Sequence, residues 1–127
     1  MTMVCIGLGS NIEPEKNISR ALSVLKSHFK VLRQSSFVQT EAVGHPSQTD
    51  FLNGAILLKT DLSLEELKKR LKNLEIQLGR NPLNHRGPRT IDLDVLVWDN
   101  QIIDPDIGQR EFLKTSILEV IPDLEIR

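Results

Sequence analysis

The chain has a single cysteine, Cys5, no tyrosine and one tryptophan. With one thiol, no disulfide can close within the chain. Cys5 stands in the apolar run Met3-Val4-Cys5-Ile6, so it is expected to be a small buried hydrophobe rather than a reactive thiol. Aromatic residues make up only 4% of the chain. That leaves no platform of rings on which bases could stack, and no phenylalanine stands in the Lys/Arg-Gly-Phe type of run that RNA-recognition domains use. Charge of one sign is also missing: 16 basic against 17 acidic residues give a net charge of −1. No global positive field would gather nucleic acid or anionic lipid, so neither is expected as a partner and any basic site is local. No apolar run approaches the roughly 20 residues that cross a bilayer. The first residues lack a charged segment followed by a long apolar one, so a cytoplasmic protein without a membrane partner is expected.

What is present suits one folded unit. With 127 residues, 39% hydrophobic and 26% charged, the chain can bury one core but not two, and residues 1–127 are read as a single domain. Met3 to Gly9 reads as a buried strand leading into a turn at Gly7-Leu8-Gly9-Ser10-Asn11. Pro14 suits the first turn of a helix, and Ile18, Ala21, Leu22, Leu25 and Phe29 follow at helical spacing to about Lys30. Val31 to Thr40 reads as a strand and Glu41 to Asp50 as a loop. Phe51 to Thr60 resumes strand character, although Asn53 and Gly54 are poor strand formers and need a reason to be there.

Ser63 with Glu66 has the form of a capping box, after which Leu64, Leu67, Leu71, Leu74 and Leu78 define a helix that ends at Gly79. Thr90 to Trp98 alternates with period two. Asp99-Asn100 turns the chain, Gln101 to Ile103 returns as a short edge strand, and Glu111 to Val120 forms a last amphipathic helix. This order predicts an α+β fold: a ferredoxin-like plait, its antiparallel sheet carrying helices on one face, with a terminal hairpin and helix.

Two features carry chemistry. In Ile91-Asp92-Leu93-Asp94-Val95-Leu96-Val97, a strand puts Asp92 and Asp94 on one face and Ile91, Leu93, Val95 and Val97 on the other. Slipping the register would move the apolar row into water, so the two carboxylates are fixed side by side. Like charges that close must be offset, by solvent, arginines or a bound cation; an open acidic pair suits magnesium, which takes one or two carboxylates together with substrate phosphates. Taken alone, Asp-x-Asp is equally a solvated strand face. The second feature shifts the balance: Arg80, Arg86 and Arg89 lie in the Pro- and Gly-containing loop that feeds this strand, and arginines facing a metal-held polyphosphate form a clamp for phosphoryl transfer.

Gly87-Pro88-Arg89-Thr90-Ile91-Asp92-Leu93-Asp94 resembles the signature of the 6-hydroxymethyl-7,8-dihydropterin pyrophosphokinases of folate biosynthesis. Similar stretches occur at Gly9-Ser10-Asn11, Asp50-Phe51-Leu52-Asn53, Gly79-Arg80 and Arg110-Glu111-Phe112, in the same order along nearly the whole chain. The resemblance implies transfer of pyrophosphate from ATP to the pterin alcohol with release of AMP. It implies two magnesium ions on Asp92 and Asp94, with Arg80 and Arg89 joining them as catalytic groups. Thr40, Val43 (through its backbone) and Asn53 would hydrogen-bond the pterin, and Phe51 and Phe112 would stack on its two faces. Both phenylalanines can equally be core residues by pattern. Glu75, Arg80, Arg86, Arg89 and Arg110 would line the nucleotide.

The sequence departs from the family pattern in three places, the first being the Pro-containing pterin loop, which here reads Glu41-Ala42-Val43. The Val-Pro-His-Pro type segment has no counterpart in Asp104-Pro105-Asp106-Ile107-Gly108-Gln109, and Arg86 replaces the tryptophan usual before Gly-Pro-Arg. These departures keep open a second reading, a pterin-binding homologue with little catalysis. His28, His45 and His85 have no spacing that suggests a metal cluster.

Overall fold

Val4 to Ser10 are buried without a break, the pattern of a strand with neighbours on both edges and cover on both faces. In the computed structural model, which describes residues 1–40, 51–79, 90–104 and 111–124, this strand is β1 (Thr2–Ser10). It lies between β4 (Phe51–Thr60) and β5 (Asp92–Trp98), antiparallel to both. Outside β4 lie β2 (Lys30–Gln34) and β3 (Val38–Thr40), and outside β5 lies β6 (Gln101–Ile102). The helices are α1 (Pro14–His28), α2 (Leu64–Gln77) and α3 (Glu111–Val120). The order and the antiparallel sheet are those of the expected α+β plait.

The local signals explain the helices. Ser63 caps α2: its hydroxyl accepts from the Glu66 N–H at 3.2 Å, while the Glu66 carboxylate accepts from the Ser63 N–H at 3.1 Å. Pro14 opens α1, which ends at His28 with extended Phe29 as its cap, two residues short of the expected Lys30. The β5–β6 turn has Asp99 and Asn100 both at positive φ (49° and 64°), the hairpin conformation that asparagine and aspartate tolerate best.

The core has two sides. Val4, Ile6, Leu8, Ile56, Leu58, Leu93 and Val95 pack against Ile18, Ala21 and Leu25 of α1 and Leu67, Leu71 and Leu74 of α2. On the opposite face, Cys5, Ala55, Leu57, Leu96 and Val97 pack against Ile117 and Val120 of α3. Burial pushes the Cys5 thiol up to about 12, which leaves it protonated and inert, as expected of a buried hydrophobe.

Three expectations need correction. Val31 to Thr40 is two strands, because the chain turns a corner at Ser35 to Phe37. The Ser35 N–H donates to the Ala55 carbonyl, its hydroxyl accepts from the Ala55 N–H (both 2.8 Å), and Ser36 and Phe37 together stand opposite Gly54. Val97 does not share the face of Leu93 and Val95. The register shift between Cys5 and Ile6 of β1 leaves Leu96 as an extra residue on β5, so Val97 joins Leu96 on the α3 side. Finally, Gly7 and Gly9 are not turn residues, since β1 stays paired to β4 through Ser10.

Candidate active site

Strand register decides which side chains meet. Gly9 of β1 pairs with Asn53 of β4 on one side and Asp92 of β5 on the other, and Gly7 pairs with Ala55 and Asp94. Phe51 pairs with Thr40 of β3. Because side chains alternate along a strand and partners share a face, Thr40, Phe51, Asn53, Asp92 and Asp94 all stand on the face opposite α1 and α2. That is also the face on which α3 packs, farther along the strands over Cys5 and Leu57. Five of the residues singled out from sequence are thereby brought to one end of one sheet face.

On β4 the reason for Asn53 and Gly54 is now visible. A Cβ at Gly54 would lie 2.6 Å from the Phe37 ring, which packs down onto the bare backbone from the α1 side. Asn53, on the other side, donates from Nδ2 to the Thr40 hydroxyl at 2.6 Å, so its carboxamide is already oriented. Among the described residues nothing else bonds to this carboxamide, so its second amide N–H and its carbonyl oxygen can serve a ligand.

On β5, Asp92 is half-buried and Asp94 exposed. They are two residues apart on a strand, which puts their Cα atoms roughly 6.5–7 Å apart. Leu93, between them, faces the helices and is buried. Its backbone N–H donates to the Glu75 carboxylate of α2 at 2.7 Å. Along β5, Val97 and Trp98 pair with β6; among the described residues no strand pairs with the outer edge at Leu93, and Glu75 satisfies the N–H there. Glu75 therefore reaches the acidic pair from behind, a backbone contact that the leucine periodicity of α2 did not signal.

Among the described residues no three His, Cys, Asp or Glu side chains gather into a metal cage. Two carboxylates on an accessible strand are nonetheless a fitting donor set for magnesium, which completes its shell with water and substrate oxygens. Phe112, in the first turn of α3, is half-buried, as is Phe51. His28 is exposed at the end of α1. Val43, Arg80, Arg86, Arg89 and Arg110, with His45 and His85, lie outside the described residues. No helix among the described residues is long and apolar enough to cross a membrane.

The chain is similar to known proteins along most of its length. Three curated relatives carry the name 2-amino-4-hydroxy-6-hydroxymethyldihydropteridine pyrophosphokinase. The one from Aquifex aeolicus is 30% identical, over 98% of this chain and 83% of its own length. That from Haemophilus influenzae is 32% identical, over 98% and 84%, and that from Bacillus subtilis 34%, over 94% and 78%. Residues 5–122 match the profile of one family. The chain belongs to the 7,8-dihydro-6-hydroxymethylpterin-pyrophosphokinase family.

Proposed function

We propose that this chain transfers a pyrophosphoryl group from ATP to 6-hydroxymethyl-7,8-dihydropterin in folate biosynthesis, as a cytoplasmic enzyme whose residues 1–127 act as one domain. The observation that carries the reading is the row Asn53, Gly9, Asp92 across three adjacent strands. It stands a group suited to a heterocycle's amide edge beside a group suited to a metal and phosphates, with only a bare strand between them.

In this reading the Asn53 carboxamide, fixed by Thr40, and the backbone at Val43 bind the polar edge of the pterin. Phe51 and Phe112 enclose its two flat faces, for which offset stacking of aromatic rings is well suited. The hydroxymethyl oxygen of the pterin attacks the β-phosphorus of ATP. The bond from that phosphorus to the α,β-bridging oxygen breaks, AMP leaves with the oxygen, and the hydroxyl proton passes to solvent. Asp92 and Asp94 would hold two magnesium ions, whose chemistry here is to gather the phosphates and spread their charge. Arg80 and Arg89 neutralise charge as it develops, with Arg86 and Arg110 adding contacts to the nucleotide. Glu75 acts beside the nucleotide by holding the backbone of β5.

The test is to mix protein, magnesium, ATP and the pterin alcohol and follow AMP. AMP should form in step with pterin pyrophosphate. AMP no higher than in the protein-free control overturns the proposal, and quenching of pterin fluorescence without ATP consumption would instead assign the chain a binding role.

A further inference from the structure

We infer that Gly9 is a positioning residue for pterin recognition: the absence of a side chain on β1 at this point gives the Asn53 carboxamide its seat. The inference rests on the reading of Asn53 as a pterin contact.

Backbone conformation does not call for glycine here. Gly9 is in regular antiparallel pairing with β4 and β5, and among the described glycines only Gly79 has a left-handed φ. In the middle of a sheet a glycine weakens the strand and packs nothing, so its presence points to a close approach. The close approach is specific. Among the described residues, a Cβ on Gly9 would stand 2.7 Å from Oδ1 of Asn53, with Cγ of Asn53 and Cδ1 of Phe51 next at 3.8 Å. The amide oxygen of Asn53 thus lies in the space a methyl group would take.

The opposite end of the same amide is tied to Thr40 by the 2.6 Å bond from Nδ2. The group is held at both ends, by a hydrogen bond on the β3 side and by a bare backbone on the β1 side. Its donor and acceptor consequently point in a fixed direction, as recognition of an amide-like ring edge demands. The obstacle a methyl would meet is the tip of a side chain, not backbone, so Gly9→Ala can fold with the amide pushed aside. The consequence falls on binding rather than on the sheet.

The experiment is a double-mutant cycle on the full chain with wild type, Gly9→Ala, Asn53→Ala and the double variant. It reads the affinity for 6-hydroxymethylpterin by fluorescence, with magnesium and a non-hydrolysable ATP analogue present, and the affinity for that analogue alone. Gly9→Ala should weaken pterin binding about tenfold, the effect of one lost or misdirected hydrogen bond. Its KM for pterin should rise in proportion, with kcat and analogue affinity within about twofold of wild type. In the Asn53→Ala background the same methyl should change pterin affinity less than about twofold.

Wild-type pterin affinity in Gly9→Ala overturns the inference. So does an equal loss with and without Asn53, or a parallel loss of analogue affinity. Wild-type affinity in Asn53→Ala overturns the assignment of Asn53 itself, and the inference with it. If Gly9→Ala does not fold, folding of the double variant supports the clash with Asn53, and failure of both overturns it.

Discussion

Glu75 is only 6% exposed, and its carboxylate accepts a hydrogen bond at 2.7 Å from the backbone N–H of Leu93, the residue between Asp92 and Asp94. A helix side chain therefore occupies a ladder position on the sheet edge, at the stretch of strand whose side chains face the proposed phosphate site. Asp92 and Asp94 point one way and their backbone is gripped from the other. Edge strands are otherwise free to twist or fray, and a metal-holding pair gains from a fixed spacing.

Glu75→Ala should lower stability by roughly 2 kcal/mol, because it leaves a buried N–H without its charged acceptor. In a domain of this size that corresponds to a fall of about 8 °C in Tm. Glu75→Gln keeps an acceptor oxygen and should recover at least half of the loss. Thermal melts of the two variants check this, and equal melting of both would show that the acceptor atom is not what matters.

Gly54→Ala should be costlier than Gly9→Ala. The added methyl would meet the Phe37 ring at 2.6 Å, and that ring is packed on the core under α1 and α2, so it cannot swing aside as the Asn53 amide can. Overpacking of this kind costs about 1–3 kcal/mol. Urea denaturation of the two variants side by side measures the difference.

The capping box of α2 predicts a pH effect of defined sign. The Glu66 carboxyl is held below its ordinary value of 4.5, first by the Ser63 backbone N–H and then by the Ser63 side chain. A group whose pKa is depressed on folding adds stability above its unfolded pKa and loses it as the pH falls through the folded value. Glu66→Gln should therefore be less stable than wild type at neutral pH, and the gap should close below about pH 4.5. Ser63→Ala, which removes the cap itself, should cost about 1 kcal/mol at neutral pH. Denaturation midpoints between pH 3 and pH 7 would follow both.

Much of this architecture was legible in local sequence. Ser63 with Glu66, Pro14, the Asp99-Asn100 turn and the leucine spacing of α2 are signals spanning a few residues, and each has a local mechanism. The face shared by Asp92 and Asp94 also followed from period two. What escaped depends on partners far along the chain. The bulge sets Leu96 over Gly7, where a Cβ would stand 2.9 Å from Cδ1 of Leu96, so Val97 crosses to the α3 side. The corner at Ser35 depends on Ala55, and Ser36 is held by the Glu119 carboxylate of α3 through both its N–H and its hydroxyl. The use of Gly9 depends on Asn53, 44 positions away by their numbers, and no periodicity encodes that pairing.

Asp92→Asn and Asp94→Asn keep the size of each side chain and remove its charge. Each should lower kcat at least about 100-fold, the scale on which loss of transition-state charge stabilisation is felt. Because Asp94 is exposed and Asp92 half-buried, Tm should change by no more than a few degrees. A steady-state assay paired with a melt separates loss of chemistry from loss of fold.

The most direct test of the acidic pair is calorimetric titration of a non-hydrolysable ATP analogue into wild type and into the Asp92→Asn, Asp94→Asn double variant, with and without magnesium. Wild type should bind the analogue at least about tenfold more tightly when magnesium is present, and the double variant should show no magnesium dependence. Tight binding by wild type without magnesium, or an undiminished magnesium effect in the double variant, would contradict the account.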